Sequence, residues 1–144
     1  MVVALVAGAF GGIGAMGRYL ADMWVSQRRS GEFPLGTLLI NVSGSLLLGV
    51  LTGLVWYHGA SGNLKLVLGT GFCGGLTTWS TATFESFRLI EERRFASAGL
   101  YVGGGLVLAL AAASVGIALA GVLCDSGIAP EYSGGTSTQR SPHG

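Results

Sequence analysis

Asn41 has the most chemistry to offer in this chain. Its carboxamide carries two N–H donors, and it stands inside an otherwise apolar run, Gly36-Thr37-Leu38-Leu39-Ile40-Asn41-Val42-Ser43-Gly44-Ser45. Thr37, Asn41 and Ser45 recur every four residues, so they line one face of a helix. A polar stripe on such a helix points at protein, water or an ion. Two readings are open: the amide donates to an anion, or the stripe supplies hydrogen bonds between helices.

A second constellation is Gly71-Phe72-Cys73-Gly74-Gly75-Leu76-Thr77-Thr78-Trp79-Ser80-Thr81. Glycines at 69, 71, 74 and 75 are poor helix formers, and hydroxyls follow where a lipid-facing helix would carry Leu or Val. Backbone groups in lipid need partners inside the protein. A Gly-rich polar break at that depth is expected to be buried in protein, to line a water-filled cavity or to hold an ion. Arg18 is the basic residue embedded in an apolar segment, with Asp22 one helical turn later. It reads either as a fixed positive charge that attracts an anion or as an i,i+4 partner of Asp22 reaching the headgroups. Glu85, at the far end of its segment, is expected to reach the interface.

The elements that must position these residues are apolar. The chain has 144 residues, 50% hydrophobic and 10% charged, against about 25% charged for an ordinary soluble domain. It therefore reads as an all-α integral membrane protein of one domain. Four segments approach the roughly 20 residues a spanning helix needs: about Val2–Val25, Leu35–Tyr57, Leu64–Phe87 and Phe95–Leu123. The transmembrane domain is residues 1–124, and 125–144, rich in Ser, Gly, Thr and Pro, reads as a disordered polar tail. No cleavable signal peptide is expected. Cys73 and Cys124 read as small apolar fillers at different depths. His58 and His143 have no metal-ligand company.

Charge gives an orientation. With four spans, the first and third loops share one side and carry Arg28, Arg29, Arg88, Arg93 and Arg94, while the other side carries Lys65 and Arg140. The bias predicts cytoplasmic loops one and three with both termini outside. Net charge is +1, so no nucleic-acid footprint exists. No Ser/His/Asp set, metal cluster or P-loop lysine is present, and the chain does not read as an enzyme.

Together these motifs resemble the CrcB/Fluc fluoride channels. Gly11-Gly12-Ile13-Gly14-Ala15-Met16-Gly17-Arg18-Tyr19 is similar to the family's first-helix motif, Gly36 to Gly44 to its second, and Gly71 to Thr81 to its third-helix break. The likeness covers about residues 5 to 123. It implies a small channel that expels fluoride, built from two subunits inserted in opposite orientations, with a central structural sodium ion held by backbone carbonyls. By resemblance, Gly74 and Thr77 hold the sodium, Asn41 and Thr37 are pore residues, Arg18 is the first-helix arginine, Trp79 takes the place of a pore aromatic, and Ser80 and Thr81 add hydroxyls. Tyr101 resembles the fourth-helix tyrosine. Trp79 keeps an electropositive ring edge and adds an indole donor.

The chain departs from the family pattern at one rim. The usual Phe-Ser-Thr-Phe is here Trp79-Ser80-Thr81-Ala82, and the positions one and two turns after Tyr101 are Gly105 and Ala109. Phe84 lies about 200° around the helix from Ala82 and is no simple substitute. Two explanations compete: an altered but conducting pore, or a heterodimer whose partner supplies the missing groups. The five-to-two arginine and lysine bias favours a fixed orientation, hence the heterodimer. Other readings are a non-conducting partner subunit and, with only Asp22 as an exchangeable carboxylate, a small multidrug-resistance-type proton-coupled exporter.

Overall fold

The structure, a computed structural model, describes residues 1–28 and 33–125. The expected tail lies outside the described residues, apart from Asp125, as do Arg29 and Arg140. The described residues are helical throughout: α1 (Val2–Arg28), α2 (Leu35–His58), α3 (62–76), α4 (Trp79–Glu91) and α5 (Phe95–Asp125). Helix α3 opens with one turn, widens to π-type winding over Lys65–Cys73 and closes with Gly74–Leu76.

Three helices, α1, α2 and α5, are long and apolar enough to cross a membrane. The third expected span is divided instead between α3 and α4. Its interruption is shorter than the glycine pattern predicts. Gly69, Gly71, Gly74 and Gly75 remain helical, and only Thr77 (φ −76°, ψ 156°) and Thr78 (φ −147°, ψ 121°) are extended.

The glycines are spent on close approach. An added Cβ at Gly75 would strike the Gly11 backbone, one at Gly71 the Ala7 backbone, and one at Gly14 the Phe72 carbonyl. Residue numbers rise together along this contact, so α1 and α3 run parallel. The same logic joins α2 to α5. Gly49 meets Ala113, Gly53 meets Ala120, and Gly116 meets Leu46 and Val50, again in parallel. Small residues let backbones approach where lipid offers no hydrophobic drive for helix association. Large side chains such as Leu5, Leu100 and Leu110 point outward, as a bilayer solvent allows.

Turns are capped locally. Gly59 takes a left-handed φ of 61° and its N–H bonds Leu54 O after α2. At the opposite end, the end of α1, the start of α2, the end of α4 and the start of α5 converge. Leu89, Ala98 and Tyr101 form a small buried cluster with Phe33, Leu38 and Ala82 against it. Loops one and three therefore share one end of the bundle.

Candidate functional site

The break is organised by one side chain from another helix. Asn41 Nδ2 donates to Thr78 O at 3.0 Å, and Thr78 N donates to Asn41 Oδ1 at 2.8 Å. The carboxamide thus imitates a backbone partner for an extended residue that would otherwise be orphaned in a buried place. Thr78 is 7% exposed. Its own hydroxyl caps α4, accepting from Thr81 N at 3.2 Å and donating to Thr81 Oγ1 at 3.0 Å. Thr is a favoured N-cap because its oxygen satisfies one of the free N–H groups of the first turn. Ser80 Oγ lies 3.3 Å from the same hydroxyl.

Two carbonyls lose their helical donors as a result. In an unbroken helix the Thr78 N–H would bond Gly74 O, and the Thr81 N–H would bond Thr77 O. Here the first goes to Asn41 Oδ1 and the second to Thr78 Oγ1. Thr77 N and Thr77 Oγ1 both turn back to Cys73 O, each at 2.9 Å. The Thr77 methyl packs on Gly44. Gly74 is exposed and Thr77 half-buried. Released carbonyls of this kind are hard oxygen ligands, the class that a small hard cation takes.

One turn along α2, about 6 Å by helix rise, lies a second polar group. Thr37, 2% exposed, donates to Glu85 Oε1 at 2.9 Å, and the Tyr101 hydroxyl donates to Glu85 Oε2 at 2.6 Å. Phe33 meets the Tyr101 ring edge-on, with centroids 5.7 Å apart and planes at 85°. Since Asn41 pairs with Thr78 and Thr37 with Glu85, α2 and α4 run antiparallel along one polar seam.

Glu85 is half-buried and held from two other helices, near the end of the bundle where it lines a cavity with Arg88 and Glu92. Sequence reasoning passed over Thr78. A signal existed, because Thr78, Thr81 and Glu85 follow one another at three- and four-residue spacing and so share a face of α4.

Arg18 and Asp22 do not pair. Arg18 is half-buried and makes no ion pair or hydrogen bond among the described residues. The Asp22 carboxylate instead lies against Gly36 in the first turn of α2, where Pro34 provides no side-chain cap. The positive end of the helix dipole attracts it there. Asp22, Ser26, Gly36, Glu85, Arg88 and Glu92 line a cavity of about 240 Å³ at this end.

The remaining expected residues divide. Ser80 and Thr81 join the break cluster. Trp79 stands on the outer surface, 82% exposed, and Phe84 is also exposed. Ala82 packs against the Tyr101 cluster. Gly105 faces Leu38, and Ser114 bonds its own helix at Leu110 O, away from the seam.

Comparison with known proteins matches residues 5–117 to the family described as CrcB-like protein, Camphor Resistance (CrcB). A Leifsonia xyli protein named fluoride-specific ion channel FluC 1 is 43% identical over 121 residues, 84% of this chain and 88% of that one. A Cutibacterium acnes protein named fluoride-specific ion channel FluC 2 is 47% identical over 110 residues, 76% and 89% of the two chains. A Streptomyces avermitilis FluC 1 is 46% identical over 118 residues, 82% and 90%.

Proposed function

This chain belongs to the CrcB family, and from that premise we propose that it is a subunit of a fluoride-selective channel in the cytoplasmic membrane, releasing fluoride passively and so lowering its cytoplasmic level. The family consists of ion channels, not enzymes. The observation that carries the reading is the polar seam between α2 and α4, with hydroxyls and a carboxamide aligned inside an apolar bundle.

Fluoride is small and strongly hydrated, so a selective path must replace its water with placed donors. Asn41 keeps one N–H beyond the bond to Thr78. Thr37 and Tyr101 already donate to a carboxylate, so their hydroxyls are oriented for an anion, and fluoride would compete with Glu85 for them. Ser80 and Thr81 extend the donor series toward Trp79. Arg18, unpaired among the described residues, supplies a fixed positive charge.

Gly74 and Thr77 would hold a structural sodium ion through the two carbonyls that the break releases. The ion would supply a positive centre that locks the break in place. Oxygen donors stripped of their helical partners fit such a cation.

Trp79 and Gly74 both face out of the protomer, so a pore and a cation site at these residues would be completed by a second subunit, which the family resemblance would place in the opposite orientation. The concentration of Arg28, Arg88, Arg93 and Arg94 at one end supports a fixed orientation with loops one and three cytoplasmic. A fixed orientation supports a paralogous partner over a second copy. The altered rim, Ala82 and Gly105, favours a version in which this chain contributes half of the pore lining.

The test is fluoride efflux from liposomes, followed with a fluoride electrode and with chloride as control, for this chain alone and together with a paralogous chain. Fluoride-selective efflux only in the mixture is the expected result. Efflux from the chain alone would replace the heterodimer with a homodimer. Absence of efflux in both, from folded protein, would overturn the channel reading.

A further inference from the structure

We propose that the end of the bundle where α1 and α4 finish carries a binding site for an anionic phospholipid headgroup, centred on Arg28 and Arg93. The first observation is conformational. Arg93 has a φ of 58°, in the left-handed region that favours glycine. It occupies the turn that closes α4: Glu92 N bonds Arg88 O at 3.0 Å, Arg93 N bonds Ile90 O at 2.9 Å and Arg94 N bonds Leu89 O at 2.9 Å. This is the capping geometry in which glycine is usual. An arginine held there, with its side chain exposed, keeps a charge at the expense of backbone comfort.

The second observation is the pairing pattern. Arg88 bonds Glu92 at 3.0 Å, and Arg94 lies 4.0 Å from the same carboxylate. Glu91 is the other acid of this turn and is exposed. Arg93 has no carboxylate partner among the described residues. Arg28 stacks its guanidinium over Trp24, 4.0 Å from the ring centroid, and likewise has no ion pair there.

The third observation separates a lipid from a free anion. Trp24, Ile90 and Phe95 are large, apolar and exposed beside these cations. An exposed tryptophan directly under a guanidinium group matches the boundary between acyl chains and headgroups, where tryptophan is enriched. The guanidinium fork suits a phosphate bidentately. Val25 and Ser26 line the same cavity as Arg88 and Glu92, so the end of α1 and the end of α4 are neighbours.

The test uses the full chain in detergent, where membrane insertion plays no part. Native mass spectrometry compares retention of phosphatidylglycerol and phosphatidylcholine with identical acyl chains. Each surface arginine near an anionic leaflet is worth about fivefold in affinity, so phosphatidylglycerol should be retained preferentially and Arg28→Gln should reduce that preference about fivefold. Arg93→Gly is the decisive variant: it relieves the backbone, so the melting temperature should rise while the lipid preference falls. A purely structural Arg93 would leave the preference unchanged. Equal retention of the two lipids, an undiminished preference when Arg28→Gln and Arg93→Gly are combined, or displacement of the lipid by millimolar inorganic phosphate would each overturn the proposal.

Discussion

Asn41 and Thr78 are joined at both ends of one carboxamide: the amide N–H reaches the Thr78 carbonyl at 3.0 Å, and the amide oxygen receives the Thr78 N–H at 2.8 Å. A side chain 37 positions away thus takes the Thr78 N–H that a continuous helix would give to Gly74 O. Asn41→Ala leaves the buried Thr78 N–H without a partner, at about 1–3 kcal/mol. The variant should melt several degrees lower than the parent in detergent. It should also lose fluoride efflux in whichever assembly conducts. A variant with unchanged melting and unchanged efflux would mean that neither role is real.

Four apolar segments, their order and the polar face of α2 were legible in the sequence, because hydropathy and a four-residue spacing are local signals. The exact seat of the break was not. Glycines at 69, 71, 74 and 75 predict an interruption by propensity, yet all four stay helical, with Gly71 and Gly75 packed on Ala7 and Gly11 of α1. The break falls at Thr77 and Thr78 because Asn41 offers an alternative partner there, and that partnership is long-range. The partners of Glu85 were hidden for the same reason. Its neighbours in sequence say helix end, while its hydrogen-bond partners come from α2 and α5. Arg18 and Asp22, paired in one reading of the sequence, are separate because Asp22 lies against α2.

The glycine contacts yield a contrast between two faces of α1 and α3. Gly75→Ala drives a Cβ into the Gly11 backbone, which cannot yield as a flexible side chain would. Overpacking of this kind costs about 1–3 kcal/mol. Gly12→Ala meets nothing within 4 Å and, by helix propensity, should be neutral or slightly stabilising. Thermal melting of the two purified variants measures the difference. Equal melting would show that α1 and α3 are not packed as described.

Glu85, Tyr101 and Thr37 should behave as one unit. Tyr101→Phe removes the 2.6 Å donor and Glu85→Gln removes the carboxylate that receives it. Groups sharing one network couple by about 0.5–3 kcal/mol. The double variant should therefore lose less stability than the two single losses combined. Strict additivity in a double-mutant melting cycle would show that the hydroxyl and carboxylate act independently.

The Thr78 hydroxyl offers the sharpest test of the proposed sodium site. By accepting the Thr81 N–H at 3.2 Å, it keeps that donor away from Thr77 O. A cation that binds only the folded assembly raises its stability by mass action, about 2.7 kcal/mol at a hundred times its dissociation constant. Melting in sodium against N-methylglucamine should therefore show a clear sodium-dependent rise. Thr78→Ser keeps the oxygen and should keep the rise. Thr78→Ala frees the Thr81 N–H to reclaim Thr77 O, closes the helix over that carbonyl and should abolish the sodium dependence while leaving a folded protein. If both variants retain the full sodium response, the carbonyls released by the break are not what holds the ion.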